Sequence, residues 1–155
     1  MTERVAVSRD IKAPARDVWE LVSDLPRMGE WSKENLGGKW LRRATGPATG
    51  ASFRGANRNG IRRWATKATV QDCTPGERFS FRVTSVWIPV SEWAYDFEET
   101  ATGCRVTESW VDRRPGWFKP ISTAATGVRD RDAHTRNGIA ETLENLATAA
   151  EAGTS

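Results

Sequence analysis

From Gly50 to Arg113 the chain is a nearly unbroken succession of strand patterns, and a long helical pattern follows from Phe118. Consecutive strands joined by tight turns pair as an antiparallel meander, and such a sheet needs something to cover its apolar face. The closing helix is long enough to do so. A curved sheet wrapped around one long helix tends to leave a hollow between them. The order of the elements therefore says where a pocket would lie before any residue in it is considered.

Val5, Val7 and Ile11 alternate with polar neighbours and predict a half-buried opening strand, stopped by Lys12-Ala13-Pro14. Pro14 suits the first turn of a helix and Asp17 complements its positive end. Val18, Trp19, Val22 and Leu25 give that helix one apolar face. Pro26 ends it and opens a second short helix over residues 27–32, and Gly37-Gly38 marks the exit. Strands are expected over 39–43, 51–58, 62–73, 78–87, 92–98 and 104–112. Asn59-Gly60 is a two-residue hairpin signal and Pro75-Gly76 the centre of a type II turn. Pro115-Gly116 breaks the sheet, and Gly127 is a candidate kink in the helical stretch, with Gly153 just past its end.

Size and composition agree with one α+β domain spanning residues 1–155. No run of about 18 apolar residues occurs, so no membrane-spanning helix is expected. The stretch Met1–Val5 lacks the apolar core of a secretory signal, which predicts a cytoplasmic protein with Cys73 and Cys104 as free thiols. One histidine and two scattered cysteines give no conventional zinc site, and no cofactor or metal is expected. The formal charge of +3 is carried mainly by arginines, paired at strand ends as Arg42-Arg43, Arg62-Arg63 and Arg113-Arg114. Scattered in this way they form no nucleic-acid footprint. They read as solvated hairpin tips, with a basic rim that attracts an anionic ligand head or acidic partner as the alternative.

Period-2 parity assigns the inward face. It points Trp64, Thr66, Ala68 and Val70 inward, then Phe79, Phe81 and Val83, then Trp93, Tyr95 and Phe97, then Val106, Glu108 and Trp110. Phe53, Gly55 and Asn57 form a further inward set. This face is strongly aromatic yet includes Glu108 and Asn57, with Arg9 in phase on the opening strand. A buried carboxylate needs a cation, hydrogen bonds or water. First and last strands of such a sheet are usually neighbours, so an Arg9–Glu108 pair is expected, either as a register lock or as a polar anchor in a greasy pocket.

On the closing helix, Val128, Asp132, Thr135, Ile139, Leu143, Leu146 and Ala150 share one stripe. Polar Asp132 and Thr135 stand where apolar residues would otherwise be, as if this half of the helix faced a wet cavity; a helix start projecting into solvent would read the same. His134 falls well off the stripe and is expected to be exposed rather than to act as a base. Of eight tryptophans, Trp19 and Trp31 are expected to pack the short helices. Trp64, Trp93 and Trp110 are the cavity candidates, with Trp40 and Trp87 less well placed, and Trp117 is positioned to cap the sheet's end.

Residues 11–19 (Ile-Lys-Ala-Pro-Ala-Arg-Asp-Val-Trp) followed by Val22-Ser23-Asp24 resemble the opening of the polyketide cyclase/dehydrase-like branch of the START-related, Bet v 1-like (SRPBCC) superfamily. So do Glu30-Trp31-Ser32, Gly46-Pro47 with residues 50–55, residues 75–79, and residues 103–108. Together, and in order, these span nearly the whole chain. The resemblance implies a helix-grip fold: a seven-stranded curved antiparallel sheet around a long C-terminal helix, with two short helices after the first strand. It implies a deep hydrophobic cavity for lipids, polyketides, sterol-like or aromatic molecules, while its members include cyclases, lipid carriers, hormone receptors and chaperone regulators.

Two functions follow as expectations. One is a carrier of a small hydrophobic, flat molecule, held by Trp64, Phe81, Trp93, Tyr95 and Trp110 and oriented by Glu108, Asn57, Arg9, Asp132 or Thr135. The other is a cyclase or dehydratase using Glu108 as acid/base, with Tyr95 or Asp132 assisting. A third class, a partner-binding module acting through the sheet's outer face, is disfavoured by the polar Lys67, Thr69 and Gln71 on that side.

Overall fold

The computed structural model describes residues 4–153. The single-domain expectation also takes in residues 1–3 and 154–155, which lie outside the described residues, as does most of the Met1–Val5 segment. Strand β1 (Arg4–Ile11) leads through Pro14 into α1 (Ala15–Ser23) and a 3-10 helix (Leu25–Glu30). Then come β2 (Asn35–Trp40), β3 (Ser52–Asn59), β4 (Arg62–Thr74), β5 (Arg78–Ser85), β6 (Ile88–Thr100) and β7 (Gly103–Asp112). Helices α2 (Lys119–Thr126) and α3 (Arg131–Ala152) close the chain. All seven strands form one antiparallel sheet in the order β1-β7-β6-β5-β4-β3-β2. The helix-grip arrangement is therefore present, with α3 packed on β1 and β7 inside the curve.

Several boundaries differ from the sequence reading, each for a local reason. The second strand lies at 35–40 instead of 39–43, because Arg54 and Gly55 of β3 come so close to Gly38 that an added Cβ would sit 1.9 Å from the Arg54 carbonyl oxygen. That approach needs a glycine inside the strand. Strand β6 starts four residues early, since Pro89 is accommodated where the β5–β6 register shifts. The expected single closing helix is two: α2 ends on Gly127, which has φ +75°, and α3 restarts with Asp130 accepting a hydrogen bond from the Ala133 amide at 3.1 Å.

The solid core occupies only one end of the sheet's concave side. Val18 and Val22 of α1 meet Phe79 of β5, Val106 of β7 and Leu143 and Leu146 of α3, all at most 1% exposed. Burying an aliphatic side chain of this size stabilises the fold by roughly 1.5–3 kcal/mol. Towards the other end, where β3 and β4, and β5 and β6, turn back on themselves, the same concave face is not filled. None of the helices among the described residues is long and apolar enough to cross a membrane.

Candidate functional site

The unfilled half is a cavity of about 730 Å³ between the sheet and α3. Its sheet wall follows from parity. Strands β3 and β4 contribute Phe53, Gly55, Asn57, Trp64, Thr66 and Ala68, and β5 contributes Phe81 and Val83. Strand β6 contributes Ser91, Trp93 and Tyr95, and β7 contributes Glu108 and Trp110. Helix α3 supplies Thr135, Gly138, Ile139 and Thr142 opposite them.

Register turns this wall into ordered rows. Phe81, Trp93 and Trp110 stand side by side across β5, β6 and β7, and Phe79, Tyr95 and Glu108 form the next row. Rows two residues apart along a strand are about 7 Å apart. Trp93 donates its indole N–H to Ser91 Oγ at 3.1 Å, so its polar edge is satisfied within the protein. Phe79 lies under the 51°-tilted ring of Phe81, with centroids 5.8 Å apart, and does not line the cavity. Tyr95 and Glu108 are therefore the floor, where the hollow meets the solid core.

That floor is the site's unusual chemistry. Glu108 is 2% exposed and Tyr95 is 2% exposed. The Tyr95 hydroxyl donates to Glu108 Oε1 at 2.6 Å, while Glu108 Oε2, also buried, has no hydrogen-bond partner among the described residues. Burial pushes the Glu108 carboxyl up to about 8, the Tyr95 hydrogen bond acting weakly in the opposite direction. Burial, and then the adjacent carboxyl, push the Tyr95 phenol well above its ordinary value. At neutral pH the floor is thus a carboxylic acid beside a phenol, with no cation beside it among the described residues.

The expected Arg9–Glu108 pair does not form. Strands β1 and β7 are neighbours as anticipated, but Val7 stands opposite Glu108 and Arg9 opposite Val106. The Arg9 guanidinium pairs instead with Glu144 of α3, outside the cavity. Asp132 does not line the cavity either. At the start of α3 the hollow is met by Arg131, His134 and Thr135, the last on the expected stripe, and Asp132 falls beside them half-buried. Asn57 does line the cavity and donates to Thr66 Oγ1 at 3.0 Å.

His134, expected to be exposed, is half-buried at the mouth, with Nε2 2.8 Å from Glu34 Oε2. Arg131 reaches the same Glu34 carboxylate at 3.2 Å. A second group missed from the sequence is Arg114, which pairs with Asp112 at 2.6 Å, both side chains nearly buried, and touches Ser122 Oγ at 3.3 Å. Burial raises the Asp112 carboxyl, but the Arg114 guanidinium and amide outweigh this and hold it below its usual value. These partners lie far apart along the chain or on an irregular segment, where periodicity carries no signal. Of the less well placed tryptophans, Trp40 packs edge-on against Phe53 outside the cavity and Trp87 is 75% exposed; Trp117, expected to cap the sheet's end, is 59% exposed and meets the Phe118 ring edge-on. Trp19 and Trp31 belong to the core as expected.

A family model described as polyketide cyclase/dehydrase and lipid transport matches residues 2–151. Among solved structures, the polyketide-cyclase-like protein Cgl2372 of Corynebacterium glutamicum is 29% identical, with a TM-score of 0.68 over 99% of this chain and 94% of that one. The di-domain ARO/CYC StfQ of the steffimycin biosynthetic pathway is 12% identical, with a TM-score of 0.77 over 99% of this chain and 52% of that one. Major latex-like protein 151 of Panax ginseng is 10% identical, with a TM-score of 0.73 over 97% and 98%. The last two likenesses concern the fold alone. No curated protein sequence matches the chain.

Proposed function

This chain belongs to the polyketide cyclase/dehydrase and lipid transport family, and from that premise we propose that it binds a small, flat hydrophobic molecule, aromatic, polyketide- or lipid-like, in the internal cavity. One observation carries this reading: a hollow of about 730 Å³ whose wall is set with Trp64, Phe81, Trp93 and Trp110. Packed interiors hold few voids larger than a water molecule, and a space of this size lies within the range of small-molecule sites. Apolar walls contribute roughly 25 cal/mol per Å² removed from water, and indole faces favour planar ligands. The protein acts as a carrier, in the compartment where its ligand is made or used; a cytoplasmic address fits its free thiols.

The test is calorimetric or fluorescence titration with planar hydrophobic compounds. Wild type binds them in the micromolar range, and Trp64→Ala and Trp93→Ala each weaken binding about tenfold. Undiminished affinity in both variants overturns the assignment.

The Glu108–Tyr95 pair favours a second reading, a cyclase or dehydratase that folds a reactive polyketone in the cavity and moves protons through Glu108. A carboxyl that titrates at about 8 is suited to exchange protons near neutrality. Product formation separates the readings. An enzyme loses turnover in Glu108→Gln while still binding neutral ligands; a carrier forms no product in either protein.

A further inference from the structure

We infer that the cavity floor is a subsite for a neutral oxygen, the carbonyl or hydroxyl at the inner end of a fused-ring ligand, and that it rejects carboxylates there. This rests on the cavity being a hydrophobic-ligand site and names the kind of ligand it takes. The carrying observation is geometric. Glu108 is almost wholly buried, its Oε1 is engaged by Tyr95 at 2.6 Å, and its Oε2 has no partner among the described residues. An orphaned buried polar oxygen is costly to the fold, so the floor gains when a ligand supplies the missing hydrogen bond.

The row spacing sets the ligand's shape. A ring lying on the Trp93–Trp110 row is about 7 Å from the Tyr95–Glu108 row. That is the reach of an oxygen on the far edge of a two- or three-ring system. The Trp93 N–H is already used by Ser91, so Trp93 offers the ligand a face rather than a hydrogen bond. Among the described groups that line the hollow, the buried polar atom without a partner is Glu108 Oε2.

Charge sets the exclusion. A carboxylate brought to Glu108 would be buried as a charge in an apolar hollow, with no cation beside it among the described residues. One hydrogen bond from the neutral acid does not offset that cost. The guanidinium of Arg9, in phase on β1, is committed to Glu144 of α3. At the mouth, Arg131 is committed to Glu34, Arg114 to Asp112 and Lys33 to Glu141. Arg58 lines the mouth and is exposed, so among the described residues an anionic group is met at the outer end. The ionisable group in contact with Glu108 is Tyr95 on β6, and Ile139 and Thr142 of α3 line the same hollow.

The acid's protonation divides the oxygen ligands. With Tyr95 donating to Oε1, a protonated Glu108 offers its hydrogen through Oε2 to a carbonyl, whereas an ionised one accepts from a hydroxyl. A ketone is held below about pH 8 and released above it, while a phenol is held on both sides.

The experiment is calorimetric titration of the full chain with naphthalene, 2-naphthol, 2-acetylnaphthalene and 2-naphthoate at pH 6.5 and 9. In wild type at pH 6.5, naphthol and acetylnaphthalene bind about tenfold tighter than naphthalene, and naphthoate binds more weakly. The acetylnaphthalene advantage disappears at pH 9. Glu108→Leu binds naphthalene at least as well but loses the oxygen advantage. Glu108→Gln, which preserves shape, keeps the advantage and makes it independent of pH. Equal affinities for naphthalene and the oxygenated probes in wild type, or a pH-insensitive ketone advantage, overturn the subsite and leave the cavity reading standing. Failure of every probe, naphthalene included, overturns the cavity reading itself.

Discussion

Glu108 concentrates the chemistry of the molecule and gives a prediction at its own scale. Its carboxyl lies near 4.5 in an unfolded chain and is pushed up to about 8 by burial in the fold. Between these values the folded state holds a proton that the unfolded chain has released, so stability falls as pH rises. The contribution is fully present below about 4.5 and gone above about 8. At 1.36 kcal/mol per unit the swing is on the order of several kcal/mol. Denaturant midpoints should show Glu108→Gln more stable than wild type at pH 9, with a flatter profile between pH 5 and 9. Parallel profiles for the two proteins contradict the buried-acid assignment. Parity was enough to turn Glu108 and Tyr95 inward, because β6 and β7 pair without a bulge from Ser91 to Thr100. It could not find the partner of Arg9. The period of a strand gives the side a residue faces, while Glu144 arrives from α3, 135 residues away.

Among the elements, the β5–β6 hairpin holds the least comfortable backbone. Val86 sits in its turn at φ +61°, a left-handed conformation that a β-branched residue enters at a cost of about 1–3 kcal/mol. Its side chain is 85% exposed, so no packing offsets that cost. Val86→Gly is therefore expected to stabilise the protein by about 1 kcal/mol, raising Tm by roughly 2–4 °C; a lower melting temperature contradicts this. Most strands were legible from alternation and turn residues, as at Asn59-Gly60 and Pro75-Gly76. The exceptions have physical causes. β2 is shaped by Gly38 meeting the β3 backbone, and the division of α2 from α3 depends on Gly127 reversing the chain beside the Arg62 side chain. Neither depends on an apolar period. The mouth cluster of Arg131, Glu34 and His134 joins the start of α3 to the segment before β2, which no local pattern could place together.

In the whole molecule, core and cavity divide one concave surface. Leu143 and Leu146 continue the α3 stripe into solid packing, whereas Thr135, Gly138 and Thr142 look into the hollow. The aromatic inward face of the sequence foretold a ring-lined space but not its depth, since that depends on how the twisted sheet rides over α3. The central claim is that this space takes a flat hydrophobic ligand between Trp93, Trp110 and Trp64. The most direct measurement follows the eight indole N–H resonances of nitrogen-15-labelled protein during titration with 2-naphthol. The signals of Trp64, Trp93 and Trp110 should move together with one dissociation constant while exposed Trp87 and Trp117 stay in place. Movement of Trp87 or Trp117 with the three inner indoles unchanged would contradict the account.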